Sequence, residues 1–414
     1  MYRRTLFLTL VLFLSAVAFS CGGSGNTRQV LVDYNNPTYA GIYIAYFPTS
    51  VSVTPGMTVH FKQAWNGEPH SVTLGTSVDK ALKIINPLLS QLNGSAEPPP
   101  DVQATAIAAF KNLPFMLDDN NNVVEAAAQP CFLKTGAPPT DEKTPCKQVP
   151  QPAFDGTQSY YSSGFIKYAG NSGNSFNVKL ASNIKPGTYH WYCNFHGPEM
   201  QGTIVVKPKG TSIPPQSTVD KQALSDATAF GASTTKALDK VNSGPWSLLR
   251  AVQIAGFPAD DHQKQALKDG YLAGFGTSAN NGPLVVEFLP KTIHAKVNQK
   301  LTWAFVGDHT VSFDVPKYFP LLTYDNSGKV SIDQRDLVPK GGPGFADNYP
   351  DSAGDLYDVD GGTWNGTGFR SSGLSPDSGN NQVSAFTIAI SKPGTYQYAC
   401  LIHPRMVGTV VVTG

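Results

Sequence analysis

Apolar and polar residues alternate in four stretches of the chain, which form two pairs in the same order. The first members of the pairs are YFPTSVSVTPGMTVHF (46–61) and FLPKTIHAKVNQKLTWAF (288–305). The second members are SFNVKLASNIKPGTYHWYC (175–193) and AFTIAISKPGTYQYAC (385–400), each of which turns at Pro-Gly and then runs into a cysteine. A period of two residues predicts half-buried β-strands, so we expect an all-β fold.

The chain repeats itself over these stretches. Cys193 and Cys400 are 207 residues apart, and His196 and His403 have the same separation. Each copy also has a histidine after its first stretch, in GEPHSVTL and in VGDHTVSF, and these two are 239 residues apart. The unequal separations indicate a tandem duplication of one all-β unit, with intervening segments of different length.

Three segments outside the strand stretches have the apolar spacing of helices. TSVDKALKIINPLLSQL (76–92) begins with the pattern of a capping box, Thr76 and Asp79, and contains Pro87, which predicts a kink. The other two are DVQATAIAAF (101–110) and STVDKQALSDATAFGASTTKALDKV (217–241). We interpret these helices as insertions and a linker between strands.

A chain of 414 residues is too long for one small core, and two or three domains are expected. The elements predict the following parts: a signal, 1–21; a tether, 22–35; a first β domain, 36–208, with a helical and disulfide-containing insertion at about 75–160; a helical linker, 209–280; and a second β domain, 281–414.

The N-terminus has the composition of a secretory signal. MYRRTLFLTLVLFLSAVAFSC starts with two arginines, and its apolar run, 5–19, is too short to span a bilayer. Cys21 is followed by GGSGN, which is typical of a lipidated cysteine and its tether. We therefore predict a lipid-anchored protein of the bacterial cell envelope, periplasmic or at the outer surface. Ordinary cleavage near the same point, with a soluble secreted product, is the alternative.

Export changes the interpretation of the remaining cysteines. Cys131 and Cys146 lie in a Pro-rich segment, QPCFLKTGAPPTDEKTPCKQVPQP, and in an oxidising compartment such a short loop is expected to close as a disulfide. Cys193 and Cys400 lie far apart in sequence, each in the same local pattern, and need another explanation.

Charge bears on the class of partner. The chain has 31 basic and 30 acidic residues, so its balance gives no electrostatic reason to expect a nucleic-acid partner.

Each copy of the repeat brings two histidines, one cysteine and one methionine to comparable positions. Two imidazoles and a thiolate with a weak axial thioether form the ligand set of a blue-copper electron-transfer site. The thiolate stabilises Cu(I), the imidazoles suit both oxidation states, and the methionine sulfur adjusts the potential. The candidate ligands are His70, Cys193, His196 and Met200 in the first copy, and His309, Cys400, His403 and Met406 in the second.

The two loops, C-x2-H-x3-M and C-x2-H-x2-M, each preceded by GTY and followed by GTIVV or GTVVV, resemble those of the cupredoxins, such as plastocyanin, azurin and amicyanin. The resemblance covers residues 40–75 and 160–207 of the first copy and 283–315 and 380–413 of the second. It implies two Greek-key β-sandwiches, each with a type 1 copper that alternates between Cu(I) and Cu(II). It also implies that Ser71 and Thr310, which follow the first ligand histidines, brace the cysteine loops.

The same resemblance implies how a redox partner would dock. The exposed edge of His196 or His403 would pass the electron, and an apolar collar would support brief docking of a redox donor or acceptor. The collar residues are Phe195, Pro198, Leu401, Ile402 and Pro404.

Two other functions remain as alternatives to electron transfer. Nitrite reductases and multicopper oxidases are also built from cupredoxin repeats, but they connect their coppers through histidines next to the cysteine. Here the neighbours are Tyr192 and Asn194 in one copy and Ala399 and Leu401 in the other, which argues against an enzyme. Copper storage or delivery is also disfavoured, because the chain has only five Met and its histidines are scattered.

Overall fold

The structure is a computed structural model. It describes residues 25–89, 99–110, 125–128, 151–166, 175–255, 270–276, 282–315, 322–324, 330–332, 357–374 and 384–414. The predicted signal with Cys21, and the predicted disulfide between Cys131 and Cys146, lie outside the described residues.

The described part of the chain is mostly β-strand. The strands of its first half are β1 (Thr27–Val32), β2 (Gly41–Ile42), β3 (Tyr46–Phe47), β4 (Ser50–Val53), β5 (Thr58–Gln63), β6 (Thr73–Leu74), β7 (Tyr161–Ser162), β8 (Ser175–Lys179), β9 (Gly187–Cys193) and β10 (Gly197–Val206). Those of its second half are β11 (Tyr271–Phe275), β12 (Leu284–Leu289), β13 (Thr292–Lys296), β14 (Lys300–Phe305), β15 (Ser312–Phe313), β16 (Leu322–Tyr324), β17 (Val330–Ile332), β18 (Tyr357–Trp364), β19 (Arg370–Ser371), β20 (Ser384–Ile390), β21 (Gly394–Ala399) and β22 (Val407–Thr413).

Two sheets of the first half form what we call the N-terminal sandwich. One has the strand order β3-β1-β5-β8 and the other β4-β10-β9-β6-β7. The burial of β5 alternates along TVHFKQ as the period of two predicts, so that Val59 and Phe61 face inward. They share one core with Trp191 and Ile204 of the other sheet. Face-to-face packing of two sheets over an apolar core is a β-sandwich.

The second half forms a corresponding C-terminal sandwich. Its sheets have the orders β18-β20-β14-β11-β12-β2 and β13-β22-β21-β15-β19, and they enclose a core that includes Trp303, Phe386 and Tyr398. The sheets β4-β10-β9-β6-β7 and β13-β22-β21-β15-β19 place equivalent strands in the same order, with one parallel pair at the same edge. The predicted all-β fold of two sandwiches is confirmed.

Six α-helices are described: α1 (Thr76–Ile85), α2 (Pro100–Phe110), α3 (Glu125–Ala128), α4 (Gln216–Phe230), α5 (Ala232–Asn242) and α6 (Leu248–Ala255). Pro87 lies in a 3-10 turn, Asn86–Leu88, directly after α1.

The predicted capping box at the start of α1 is wrong. Thr76 is the first helical residue and Gly75, which has no side chain, precedes it. The N–H of Thr76 donates to the carbonyl of Gln158, so neighbouring backbone satisfies the end of the helix. Asp79 accepts hydrogen bonds from the backbone N–H and the Nδ1 atom of His190 instead.

The single helix predicted over 217–241 is two helices, which meet at Gly231. A Cβ atom at this glycine would lie 2.5 Å from the hydroxyl oxygen of Tyr43, so only glycine allows this close approach. The helices α4 to α6 pack with residues of both sandwiches in one apolar cluster, which includes Tyr43 and Leu272. The cluster holds the sandwiches against each other.

Two of the predicted part boundaries need correction. Thr27–Val32 falls in the predicted tether, but it is a strand that pairs in parallel with β5 and antiparallel with β3. Tyr271–Phe275 falls in the predicted linker, but it pairs with β12 and β14 of the C-terminal sandwich. In addition, β2 adds to the edge of β12, so the chain crosses between the sandwiches before the first domain is complete.

Within the described ranges, no helix has the length and apolar character needed to cross a membrane.

Candidate metal centres

The N-terminal sandwich brings a histidine, a cysteine and a second histidine together, and we call this group with Met200 site 1. His70 follows β5, Cys193 is the last residue of β9, and His196 lies in the turn before β10. His70 Nδ1 is 3.1 Å from His196 Nδ1, which is 3.6 Å from Cys193 Sγ. The three ligand atoms lie within 4.8 Å of one another.

The C-terminal sandwich repeats this arrangement in site 2, which includes Met406. His309 Nδ1 is 3.0 Å from His403 Nδ1, which is 3.4 Å from Cys400 Sγ. The loop is tight, because the N–H of Cys400 donates to the Met406 carbonyl and the N–H of Met406 donates to the His403 carbonyl. These three ligand atoms also lie within 4.8 Å of one another.

The methionines are buried in the same cores as the cysteines. Met200 is fully buried in the core that contains Cys193, and Met406 is fully buried in the core that contains Cys400. Each candidate methionine therefore shares a core with the cysteine of its own site.

The donor set fits copper. In both sites two imidazole nitrogens and one sulfur converge, and these are ligands that suit Cu(I) and Cu(II). Metal–ligand bonds of about 2.0–2.3 Å separate ligand atoms that share one ion by roughly 3–4 Å. The Nδ1–Nδ1 and Nδ1–Sγ separations lie in this range without any movement of the chain.

Ser71 and Thr310 each contact the cysteine loop of their own site. In site 1 the N–H of Ser71 donates to Cys193 Sγ at 3.4 Å, and its hydroxyl accepts the N–H of Asn194 at 2.8 Å. In site 2 the N–H of Thr310 donates to Cys400 Sγ at 3.3 Å, and its hydroxyl accepts the N–H of Leu401 at 2.8 Å. Each residue thus ties the strand of the first histidine to the cysteine loop.

Two carboxylates contact the histidines of site 1. Glu68 Oε2 accepts a hydrogen bond of 2.9 Å from His196 Nε2. Asp33 Oδ2 lies 3.6 Å from His70 Nε2, and both side chains are fully buried. A carboxylate behind a ligand histidine fixes the ring orientation and strengthens the ligand.

These contacts make metal-free site 1 a cluster of charged groups. Burial raises the pKa of the Cys193 thiol, but hydrogen bonds from His196 and His70 outweigh it and hold the pKa well below its usual range. Burial lowers the pKa of His196, but Cys193 and Glu68 outweigh it and raise the value to about 10. Burial raises the pKa of Glu68, but His196 outweighs it and lowers the value. Burial raises the pKa of Asp33, and His70 opposes this only in part.

Metal-free site 2 is neutral by contrast. His309 Nε2 donates to the carbonyl oxygen of Val306 at 3.0 Å, where site 1 has a carboxylate. Burial lowers the pKa of His309 to about 4 and that of His403 well below its usual range. Burial raises the pKa of Cys400 to about 11.

The predicted docking collar needs correction. Leu401 and Ile402 are buried in the C-terminal sandwich, and Pro198 is buried as well, so a partner cannot touch these side chains without rearrangement. Phe195 and Pro404 are partly exposed.

The predicted electron port at His403 needs correction as well. The His403 ring is buried because Gly67 of the N-terminal sandwich lies against it. The side chain of His196 remains 11% exposed beside Glu68.

Sequence analysis missed three residues that shape the sites: Asp33, Gly67 and Glu68. Glu68 stands two residues before His70 in GEPH, and an acidic residue so close to a ligand histidine was a usable signal. Asp33 and Gly67 carry no such signal, because their contacts depend on strand pairing and on the packing of one sandwich against the other.

Solved structures of copper proteins match this chain. Reduced auracyanin from Roseiflexus castenholzii matches with 18% identity and a TM-score of 0.21, over 45% of this chain and 100% of that one. Auracyanin A, a "blue" copper protein from Chloroflexus aurantiacus, matches with 19% identity and a TM-score of 0.20, over 44% and 98%. Amicyanin from Paracoccus versutus matches with 15% identity and a TM-score of 0.17, over 35% and 82%.

No family model matches the chain, and no curated protein matches it. The chain has two β-sandwiches, each with a converging His, Cys and His group and a buried Met in the same core as the cysteine. In fold and in candidate ligand arrangement, this chain resembles the cupredoxins, as its sequence predicts.

Proposed function

We propose that the chain is an exported electron-transfer protein that holds a type 1 copper ion in each of its two sandwiches. The observation that carries this proposal is the convergence of two imidazole nitrogens and one cysteine sulfur within 4.8 Å, in both halves of the chain. A bound copper supplies one-electron chemistry by alternating between Cu(I) and Cu(II). The protein residues hold the ligands, exclude water and set the local charge.

The enclosure of the ligands favours a carrier over an enzyme. Catalytic metal sites keep an open position for substrate, whereas closed sites have their ligands provided by the protein. Here the first histidine, the cysteine and the methionine of each site are at most 3% exposed. His70 and Cys193 are, in addition, fixed by contacts with Asp33 and Ser71. Groups held this firmly suit a change of oxidation state with little rearrangement.

The partners and location are part of the same proposal. Cys21 would carry a lipid that anchors the protein at the cell envelope, with donor and acceptor proteins docking transiently. The partly exposed His196, with Phe195 beside it at a ring-centroid distance of 4.7 Å, is the place where a donor would dock. Replacement of Cys21 by serine should release the protein from membranes into the soluble fraction. Membrane retention of that variant would contradict the anchor.

Copper content and the visible spectrum of the oxidised protein test the function directly. The wild type should bind two coppers per chain and show an intense thiolate-to-copper band. Cys193→Ser and Cys400→Ser should each remove one copper and part of the band. A third copper without that band would contradict the simple carrier and favour an oxidase or a nitrite reductase. Copper bound without any thiolate band would favour storage or delivery.

A further inference from the structure

Gly67 lies directly against site 2, although it belongs to the N-terminal sandwich. A Cβ atom built on this glycine would be 2.2 Å from His403 Cδ2 and 2.7 Å from the Ile402 carbonyl oxygen. Real Cβ atoms do not approach other atoms so closely, so the glycine is what allows the backbone to touch the imidazole ring. Its φ of 122° also lies where side chains are disfavoured.

The next residue in the chain contacts site 1. The Glu68 carboxylate accepts the hydrogen bond from His196 Nε2 at 2.9 Å. The neighbouring residues Trp65 and Asn66 are buried, and the Asn66 amide donates to the Tyr34 carbonyl, which anchors the segment. Gly67 therefore contacts a ligand histidine of site 2, and Glu68, the next residue, contacts a ligand histidine of site 1.

The ligand histidines of the two sites meet groups of different charge. In site 1 the Glu68 carboxylate contacts Nε2 of His196. In site 2 His403 contacts the uncharged backbone of Gly67, and His309 contacts the carbonyl of Val306. A negative charge close to a ligand stabilises the more positive oxidation state of the bound ion, and the effect is large where water is excluded. The Glu68 side chain is 22% exposed, so its charge is only partly screened.

We propose that the segment Asn66–Glu68 couples the two metal sites, and that Glu68 gives site 1 the lower reduction potential. This proposal rests on the copper function proposed above. With copper held by the ligands of both sites, an electron that enters at His196 would pass on to site 2, so that site 1 would give up one electron and site 2 would take up that same electron. No bond is formed or broken, and no proton is required. Site 2 receives electrons from within the chain, because Gly67 covers the ring of His403.

The first test measures the reduction potential of each site in the full chain, by optical titration of the Cys400→Ser and Cys193→Ser backgrounds. Glu68→Gln should raise the potential of site 1 by more than that of site 2, because Glu68 hydrogen-bonds a ligand of site 1 and acts on His309 of site 2 only across space. The equilibrium constant for electron transfer from site 1 to site 2 should fall about tenfold, which corresponds to a change of about 59 mV in the potential difference for one electron.

Asp79→Asn is the matched control. Asp79 also accepts a hydrogen bond from an imidazole in the N-terminal sandwich, at 2.8 Å from His190 Nδ1, but His190 is not a ligand. Asp79→Asn should leave both potentials unchanged. An unchanged potential in Glu68→Gln, or an equal shift in Asp79→Asn, would overturn the role of Glu68.

The second test places a methyl group between the sandwiches. Gly67→Ala, in the Cys193→Ser background, should alter the visible and electron-paramagnetic spectra of site 2. Gly56→Ala is the control, because Gly56 also has a positive φ, of 85°, but nothing lies within 4 Å of its Cβ position. If site 2 is unchanged in Gly67→Ala, or changes equally in Gly56→Ala, the coupling is refuted.

Nuclear magnetic resonance of the metal-free chain separates failure of this proposal from failure of the copper function. Glu68→Gln should shift the Nε2–H signal of His196, and Gly67→Ala should shift the ring signals of His403. If these signals shift but the wild type binds no copper, the contacts stand and the copper function fails. If copper binds normally and the signals do not shift, the copper function stands and the coupling segment is refuted.

Discussion

Asp33 and Gly274 occupy equivalent positions in the two sandwiches, and each faces the Nε2 atom of the first ligand histidine. Asp33 comes directly after β1 and Gly274 lies near the end of β11, and these two strands run parallel to β5 and β14, the strands before the two histidines. Both have positive φ, 64° and 86°. Asp33 Oδ2 is 3.6 Å from His70 Nε2, whereas a Cβ atom on Gly274 would be 2.3 Å from His309 Nε2. The first ligand histidine thus faces a carboxylate in one copy of the duplicated unit and the backbone of a glycine in the other.

Replacement of the Asp33 carboxyl group should weaken site 1 alone. In the Cys400→Ser background, Asp33→Asn should reduce the affinity for Co(II), used as a spectroscopic probe, by about 10–100-fold, because the histidine loses its orienting carboxylate. A titration with Co(II), followed by the thiolate-to-cobalt band, measures this affinity. Asp314→Asn is the control, because Asp314 also has positive φ but accepts its hydrogen bond from Gly368, far from any ligand contact. Equal Co(II) affinity with and without Asp33→Asn would contradict the role of Asp33 in orienting His70.

A methyl group at Gly274 should displace His309. Gly274→Ala places Cβ 2.2 Å from the Val306 carbonyl oxygen and 2.3 Å from His309 Nε2, at a φ that alanine disfavours. We expect loss of the site 2 metal band and a decrease of about 1–3 kcal/mol in the free energy of unfolding. Gly362→Ala, at a φ of 66° with open space around it, should keep the band. A normal site 2 spectrum in Gly274→Ala would show that the ring has room to move.

The hydroxyl of Thr310 should contribute to stability without being a ligand. Thr310→Val keeps the shape but leaves the buried N–H of Leu401 without its acceptor, which costs about 1–3 kcal/mol of unfolding free energy. Thr310→Ser keeps the hydroxyl and should lose less. Chemical denaturation of the metal-free forms provides the comparison. Similar losses for serine and valine would assign the effect to packing of the methyl group.

The two cysteines should ionise at different pH in the metal-free protein. The low pKa of Cys193 predicts a thiolate at pH 8, whereas Cys400, with a pKa of about 11, remains a thiol. Thiolate absorbance near the ultraviolet edge at pH 8 should therefore fall in Cys193→Ser and stay unchanged in Cys400→Ser. Raising the pH through 11 should add the Cys400 signal. Equal loss in both variants at pH 8 would contradict the charge difference between the sites.

Acid should destabilise the metal-free C-terminal sandwich through His309. Its pKa falls from the usual 6.5 to about 4 on folding, so the unfolded chain binds more protons between these values. The resulting stability is fully present above 6.5 and is lost as the pH falls through 4, up to about 3 kcal/mol. Unfolding free energies measured between pH 7 and 4 should fall less steeply in His309→Gln. An identical slope would exclude His309 as the responsible group.

Local patterns were enough to predict the strands and the candidate ligands. Alternation over 58–63 and 187–193 reflects side chains that point to opposite faces of a sheet, and this does not depend on distant residues. The spacing of Cys193 and His196 within one turn likewise brings two donors together locally. The break between α4 and α5 at Gly231 was not predicted, because the reason for it is Tyr43, which is distant in sequence.

The sequence by itself determined two all-β units, each with a histidine, cysteine, histidine and methionine, because strand period and loop spacing act over a few residues. Tertiary structure alone decided which charges meet those ligands. Asp33 reaches His70 through the parallel pairing of β1 with β5, and Gly67 reaches His403 only because the helices pack the two sandwiches together. Contacts across a sheet or between sandwiches depend on how whole elements pack, and no local pattern records that.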